Sequence, residues 1–301
     1  MTRRGGAAPG RAAVVGVPFL WLLLFFLLPF AIVARISVGT MEATSAADLI
    51  AATNVQLDSY RLLFTDALYL RTYASSLAYA AATTVLCLAI GYPFAYFMAR
   101  ARKDRQPGLL LLVMLPFWTS FLLRVYAWKS LLAEQGLVAG WIESLGLDRG
   151  LAALGLIPAP GQLMNTPFSL LIGMVYTYLP FMILPLYAQL SKMDLRLLEA
   201  AADLGASAWT AFWTVTVPLS RAGIVAGALL VFIPSIGEYV IPELLGGPET
   251  QMIGRTLWDE FFANNDWPMA SAVAVTMILI VIVPIALFGR AQQDAPAAPA
   301  Q

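Results

Sequence analysis

The stretch FSLLIGMVYTYLPFMILPLYAQL (168–190) contains no charged residue. As an α-helix rising about 1.5 Å per residue it is long enough to cross a hydrocarbon core of about 30 Å. It runs almost directly into KMDLRLLEAAADLGASAWTAFWTVTVP (192–218), where charge returns. An apolar helix of membrane length followed by a polar helical connector is how a polytopic membrane protein reads. Five further stretches qualify by the same test: Val14–Ile36, Tyr73–Ala99, Leu109–Leu132, Ala222–Ile241 and Met269–Phe288. Barrel strands do not fit, because they are about 10 residues long and alternate apolar with polar. The expected fold class is therefore an all-α integral membrane protein with six transmembrane helices.

Composition agrees. Of 301 residues, 60% are hydrophobic and 12% charged, and the mean hydropathy is +0.76. A soluble domain carries about 25% charged residues. Disordered chains are poor in apolar residues, so disorder is excluded. A single cysteine, Cys87, excludes a disulfide scaffold. The absence of histidine excludes imidazole catalysis and His-ligated metal, and a net charge of zero argues against a nucleic-acid partner. Arg3, Arg4 and Arg11 precede the first apolar stretch as they would a signal peptide, but its core is too long and Ala34-Arg35-Ile36 is a poor cleavage site. It reads as an uncleaved first span.

Basic residues set the orientation. With the N-terminus in the cytoplasm, inner segments hold 11 of the 18 basic residues and five of the 18 acidic ones. The cluster Arg100, Arg102, Lys103, Arg105 accounts for much of this bias. Both termini are expected inside. The expected organisation is a cytoplasmic tail (1–13), a membrane domain (14–290) with an inner loop at 191–221, and a disordered Ala/Pro-rich tail (291–301). Outer loops fall at Gly39–Thr72, Ala133–Pro167 and Pro242–Pro268.

The inner loop divides in two. Asp194 can cap a helix over Leu195–Leu204, and Gly205 suits its C-terminus. Ser207 can cap a second helix reaching Val217, before Pro218. Small residues Ala200, Ala201 and Ala202 allow close approach, so the module suits docking into a groove on another protein. A packed connector with no partner is the alternative at this level.

The residues Glu199-Ala200-Ala201, Gly205 and Pro218 resemble the EAA loop of binding-protein-dependent ABC importer permeases, at the family's spacing and in its place between the fourth and fifth spans. The similarity to polyamine importer permeases runs from about Pro18 to Phe288. It is carried by Gly91-Tyr92-Pro93-Phe94-Ala95, Leu115-Pro116-Phe117-Trp118-Thr119-Ser120-Phe121, Leu179-Pro180-Phe181-Met182-Ile183-Leu184-Pro185-Leu186-Tyr187, and the run Phe232–Pro248 with Met252-Ile253-Gly254 and Asp266-Trp267-Pro268 after it. The last run most resembles the putrescine-type subunit. The resemblance implies a type I importer permease fold, a five-helix core plus an N-terminal helix, in a bacterial inner membrane. It also implies a second homologous permease subunit, two ATP-binding subunits each receiving an EAA loop, and a periplasmic substrate-binding protein. Glu199, Ala200, Ala201, Asp203, Gly205 and Pro218 would form the coupling loop.

No Gly-Lys pair occurs, so the chain has no Walker phosphate loop. No cofactor is expected on this chain, and ATP belongs on the partner subunit. Prolines inside the spans, Pro93, Pro116, Pro180, Pro185, Pro234 and Pro284, are expected to kink helices. Ionisable residues inside spans are functional candidates: Arg124 and Lys129 in the third, Glu238 in the fifth. Counted along straight helices, Arg124 and Glu238 reach similar depth, roughly 22 and 24 Å from the inner ends. They are expected to pair, or Glu238 to face the pathway; the alternative is that both side chains snorkel to the interface. A protonated polyamine would be hosted by carboxylates and aromatic faces. Glu238, Tyr239, Trp118, Tyr126 and Tyr178 are candidates, with Asp259 and Glu260 weaker ones. A permease for thiamine, iron or another small solute is the alternative cargo. A secondary transporter is disfavoured by the lack of acids at the span centres, and a membrane enzyme by the lack of paired carboxylates.

Overall fold

A computed structural model describes residues 9–39 and 55–293. The expectations for the two tails and for much of the loop at 39–72 fall largely outside the described residues. The described chain is helical throughout. Helix α1 runs from Pro9–Leu22 through a π-helical turn, Leu23–Leu27, to Leu28–Ile36. There follow α2 (Asp58–Thr65), α3 (Ala67–Arg100), α4 (Gln106–Met114), α5 (Phe121–Leu132), α6 (Leu137–Ser144), α7 (Leu147–Ala153) and α8 (Pro167–Leu190). Then come α9 (Arg196–Asp203), α10 (Ala208–Leu219, with a π-helical turn at Phe212–Thr216), α11 (Arg221–Ile236), α12 (Val240–Leu245), α13 (Ile253–Trp258) and α14 (Trp267–Gln293).

Four helices are long and apolar enough to cross a membrane: Val14–Ile36, Ala67–Arg100, Pro167–Leu190 and Trp267–Ala286. Two bent pairs bring the number to six when each is counted as one span. The first pair, Gln106–Trp118 and Phe121–Leu132, bends by 88°. The second, Ala208–Leu219 and Arg221–Ile236, bends by 65°. The straight third span expected from hydropathy is thus broken at Thr119 and Ser120, whose backbone is extended. Pro116 sits in the 3₁₀ turn just before that break. The other five span prolines lie inside continuous helices, and only Pro116 stands at a break between two helices of one span.

The chain falls into two compact units. One holds Met1–Ala67 and Leu257–Leu279, the other Leu68–Thr256 and Ile280–Gln301. In the first, Ser37 and Tyr60 share a 2.8 Å hydrogen bond that ties the end of α1 to α2. The apolar body of α1 is exposed on every side, a surface fit for lipid.

The second unit is organised about α8. Thr166 and Ser169 form a capping box at its start, and Ser169 Oγ also donates to the Leu245 carbonyl at 2.6 Å. Leu170, Met174, Met182 and Leu186 of α8 are fully buried with Cys87 and Ala95 of α3, Val231 of α11, and Ile241 and Leu245 of α12. Helices α8 and α11 also approach each other closely. A Cβ on Gly223 would lie 2.9 Å from the Pro185 carbonyl oxygen, and one on Gly227 would lie 2.7 Å from Met182 Sδ. Lipid supplies no hydrophobic drive between helices, so such small-residue contact, with its dispersion, holds them.

Candidate functional site

Glu238 follows Gly237, where α11 ends. Its Oε1 accepts the Val240 and Ile241 backbone N–H groups at 3.1 and 3.4 Å, which caps α12. Its Oε2 accepts the Tyr178 hydroxyl at 2.6 Å. Tyr178 is only 6% exposed, whereas Glu238 is half-buried. A carboxylate offers about four lone-pair sites, so acceptor capacity is left for a cation. The surrounding backbone is tight. The α13 start at Gly254 packs on the Gly237 and Glu238 carbonyls, where a Cβ would lie at 2.5 and 2.7 Å. Ser76 Oγ accepts the Ile253 N–H at 2.7 Å, and Arg255 pairs with Glu243 at 2.7 Å.

From Tyr178 a row of rings leads away from the carboxylate. Tyr178 and Phe181 have centroids 6.3 Å apart, and Phe181 meets Phe117 edge-on at 5.2 Å. The Arg124 guanidinium lies over Phe117 at 5.3 Å. Carboxylate and guanidinium therefore stand at opposite ends of one aromatic row, and the expected ion pair between them is not formed. The reason is the break before α5. It frees the Pro116 carbonyl, which takes Arg124 Nη1 at 2.6 Å and Thr119 Oγ1 at 2.8 Å. Depth counted along a straight helix fails for the same reason. Phe117 and Phe181 were absent from the sequence candidates, although both lie within the quoted motifs.

Trp118 is 74% exposed beside this row, and Tyr126 and Lys129 on α5 are also exposed. Tyr239 is half-buried next to Glu238. Asp259 is exposed, but Glu260 is buried and accepts Asn264 Nδ2 at 2.9 Å. Asp266 nearby caps α14 through the Met269 N–H at 2.9 Å. Burial pushes its carboxyl above the ordinary 3.8, and the Glu260 charge adds to this, against the lowering by the Met269 bond.

The connector after α8 matches its expected form. Asp194 Oδ1 accepts the Arg196 N–H at 3.0 Å, and α9 spans Arg196–Asp203. Gly205 has φ +83°, a conformation that favours glycine. Ser207 caps α10 through the Thr210 N–H at 3.1 Å. Glu199, Ala200, Asp203 and Gly205 are exposed, Ala201 and Pro218 half-buried. Apolar side chains share that surface: Leu204 is 89% exposed and Trp209 70%. Inward, Phe212 meets Tyr92 and Tyr96 edge-on at 5.5 and 6.1 Å. The Tyr92 hydroxyl and Ser220 Oγ lie 2.8 Å apart at the 65° elbow. That link spans 128 positions, and no local pattern announced it.

A helical membrane body with an exposed helix pair joined by a glycine turn is consistent with the permease class of transport proteins. The chain belongs to the family of binding-protein-dependent transport system inner membrane components, whose model matches residues 12–291. It is 37% identical over 279 residues to the spermidine/putrescine transport system permease protein PotB of Haemophilus influenzae, covering 93% of each chain. Against PotB of Escherichia coli the identity is 37%, covering 91% of this chain and 94% of that one. Among solved structures it resembles a bacterial ABC transporter that imports the acidic polysaccharide alginate, with TM-score 0.65, 14% identity, and 96% and 98% coverage of the two chains. The fold is thus the type I importer permease fold.

Proposed function

We propose that this chain is one transmembrane half of an ATP-driven, binding-protein-dependent importer of polyamines. The observation that carries the reading is the Glu238 carboxylate, held by Tyr178 and the α12 backbone at the head of an aromatic row. A protonated amine on an apolar chain finds there a charge partner and ring faces. The relatives named for spermidine and putrescine transport support the cargo class. The resemblance of the Phe232–Pro248 run favours putrescine within that class.

ATP would be hydrolysed on two separate subunits, each receiving a loop like 191–221, and a second permease would complete the pathway. Leu204 and most of the Trp209 surface lie exposed in this fold, and Asp203 sits at the unfavourable end of the α9 dipole. All three suit a surface that another protein covers. A solved relative in complex with an alginate-loaded periplasmic protein supports delivery from outside by a binding protein. Both termini would lie in the cytoplasm, a reading the charge bias supports.

A second reading keeps the permease and changes the cargo, since a molybdenum transport permease of Mycobacterium bovis is also 28% identical over 214 residues. An anion pathway would need basic groups where Glu238 stands. The test is uptake of labelled putrescine and spermidine into proteoliposomes holding the assembled importer, with ATP present or withheld. Uptake that needs ATP and is competed by both polyamines supports the reading. Uptake of neither, with a different solute carried, overturns the cargo.

A further inference from the structure

An apolar cleft of about 300 Å³ lies between α3, α4 and α8, and Glu238 is not among its lining residues. Phe94, Phe97, Leu109, Leu112, Val113 and Ile183 form most of its wall, and Tyr176 is its one lining residue with a hydroxyl. Between Arg105 and Pro116 the chain climbs about 16 Å at helical rise. That is about the depth of one leaflet, half of a hydrocarbon core of about 30 Å.

Between the lining residues Met98 and Leu109, where α3 turns into α4, four cations fall within six residues: Arg100, Arg102, Lys103 and Arg105. Asp104 offsets one, and its 3.1 Å pair with Arg102 is exposed and therefore weak. Arg100 lies over the Tyr96 ring at 5.1 Å, and its Nη2 is shut off from solvent with no acceptor among the described residues. A buried donor left unpaired is costly and calls for a partner. The turn is also fixed in place. Gln106 Nε2 donates to the Ala99 and Ala101 carbonyls at 3.3 and 3.0 Å, and Gln106 Oε1 accepts the Tyr187 hydroxyl at 3.0 Å.

We propose that this cleft and turn form a binding site for one anionic phospholipid. The phosphate is received by the exposed Arg102, Lys103 and Arg105, with the half-buried Arg100 guanidinium adding its charge behind them. One acyl chain lies along Leu109, Leu112 and Phe97. A zwitterionic headgroup would bring its own cation against this cluster, so the site selects net negative lipid.

The test is native mass spectrometry of the full-length chain, with whatever subunits co-purify, taken from bilayers of equal parts phosphatidylglycerol and phosphatidylcholine. Wild type is expected to retain one phosphatidylglycerol. Arg102→Gln with Lys103→Gln changes only exposed side chains and is expected to lower that retention about tenfold or more, each surface cation contributing appreciably to anionic-lipid binding. Leu112→Trp fills the cleft from an exposed position and is expected to abolish retention while leaving the cations in place. Arg149→Gln, a cation far from the turn in sequence, is expected to change nothing. Equal retention of both lipids by wild type overturns the site. So does undiminished phosphatidylglycerol on the Leu112→Trp protein, which would mean that the turn alone holds the anion. Cross-linking of Leu112→Cys to a second permease chain would show the cleft to be a subunit contact and would also overturn it.

Discussion

The Tyr178 hydroxyl donates to Glu238 at 2.6 Å, joining the middle of α8 to the residue just beyond the end of α11. The same two helices touch near the start of α11 through Gly223 and Gly227. They are therefore fastened at two places, one by packing and one by a charge-assisted hydrogen bond. On the proposed reading, the second is the one a bound cation would disturb.

Replacing Glu238 by Gln removes the charge and keeps the shape. A hydrogen bond to a charged group contributes about 1.5–3 kcal/mol. Polyamine uptake by the Glu238→Gln importer should fall by about tenfold or more, with normal amounts of protein in the membrane. Tyr178→Phe should lower it less, since the carboxylate remains. Uptake assays at matched expression compare the two; a Glu238→Gln importer with wild-type uptake would remove the site from the pathway.

Gly227 has no room for a side chain against Met182. Gly227→Leu should prevent a stable fold, and Gly227→Ala should destabilise by about 1–3 kcal/mol through overpacking. Thermal unfolding followed by size-exclusion chromatography measures this. Met182→Ala should restore part of the loss from Gly227→Ala, because it withdraws the Sδ atom in the way.

The Tyr92–Ser220 link is neutral, so Tyr92→Phe or Ser220→Ala should cost only about 1 kcal/mol of stability. Its larger effect should be on coupling. With either change, ATP hydrolysis by the assembled importer should respond less to loaded binding protein, while basal hydrolysis stays near wild type. The paired double variant should be no worse than either single one.

Leu204→Asp alters a side chain that this fold leaves in the open. The chain should fold and insert normally, and co-purification of the ATPase subunit should fall about tenfold or more, in the range of a hot-spot loss of ≥2 kcal/mol. Glu199→Ala should weaken the same association. Normal pull-down by both would place the ATPase elsewhere.

Asp266 supplies a pH test. Its carboxyl titrates above 3.8 in the folded state, so folding holds its proton more tightly than the unfolded chain does. Stability from this group is present at low pH and is lost as pH rises through the folded value. Asp266→Asn keeps an oxygen for the Met269 N–H and sheds the charge. Thermal unfolding should find it more stable than wild type at neutral pH, with the gap closing as pH approaches about 4.

Much of this was legible in the sequence, for physical reasons. Membrane length and the absence of charge mark Pro167–Leu190 without help from any partner, and Gly205 marks a turn because few other residues adopt its φ. Pro116 marked a bend in the third span, but not a full break at Thr119 and Ser120 of 88°, because both flanking halves are apolar and hydropathy averages across them. Counting along an unbroken helix suggested an Arg124–Glu238 ion pair that the Pro116 carbonyl pre-empts. The contacts Tyr92–Ser220 and Ser76–Ile253 lie 128 and 177 positions apart and depend on tertiary packing that no window of sequence contains.

The 65° elbow at Ser220 gives the molecule a mechanical advantage. Helix α11 extends about 24 Å beyond it at 1.5 Å per residue. A tilt of about 10° there would swing the Gly237 end by about 4 Å, whereas a hydrogen bond is gone beyond about 3.5 Å. A small stroke on the α9–α10 side would thus suffice to part Glu238 from Tyr178, so the Glu238–Tyr178 contact and the posture of that distant helix pair are mechanically linked, as the proposed cation site would require.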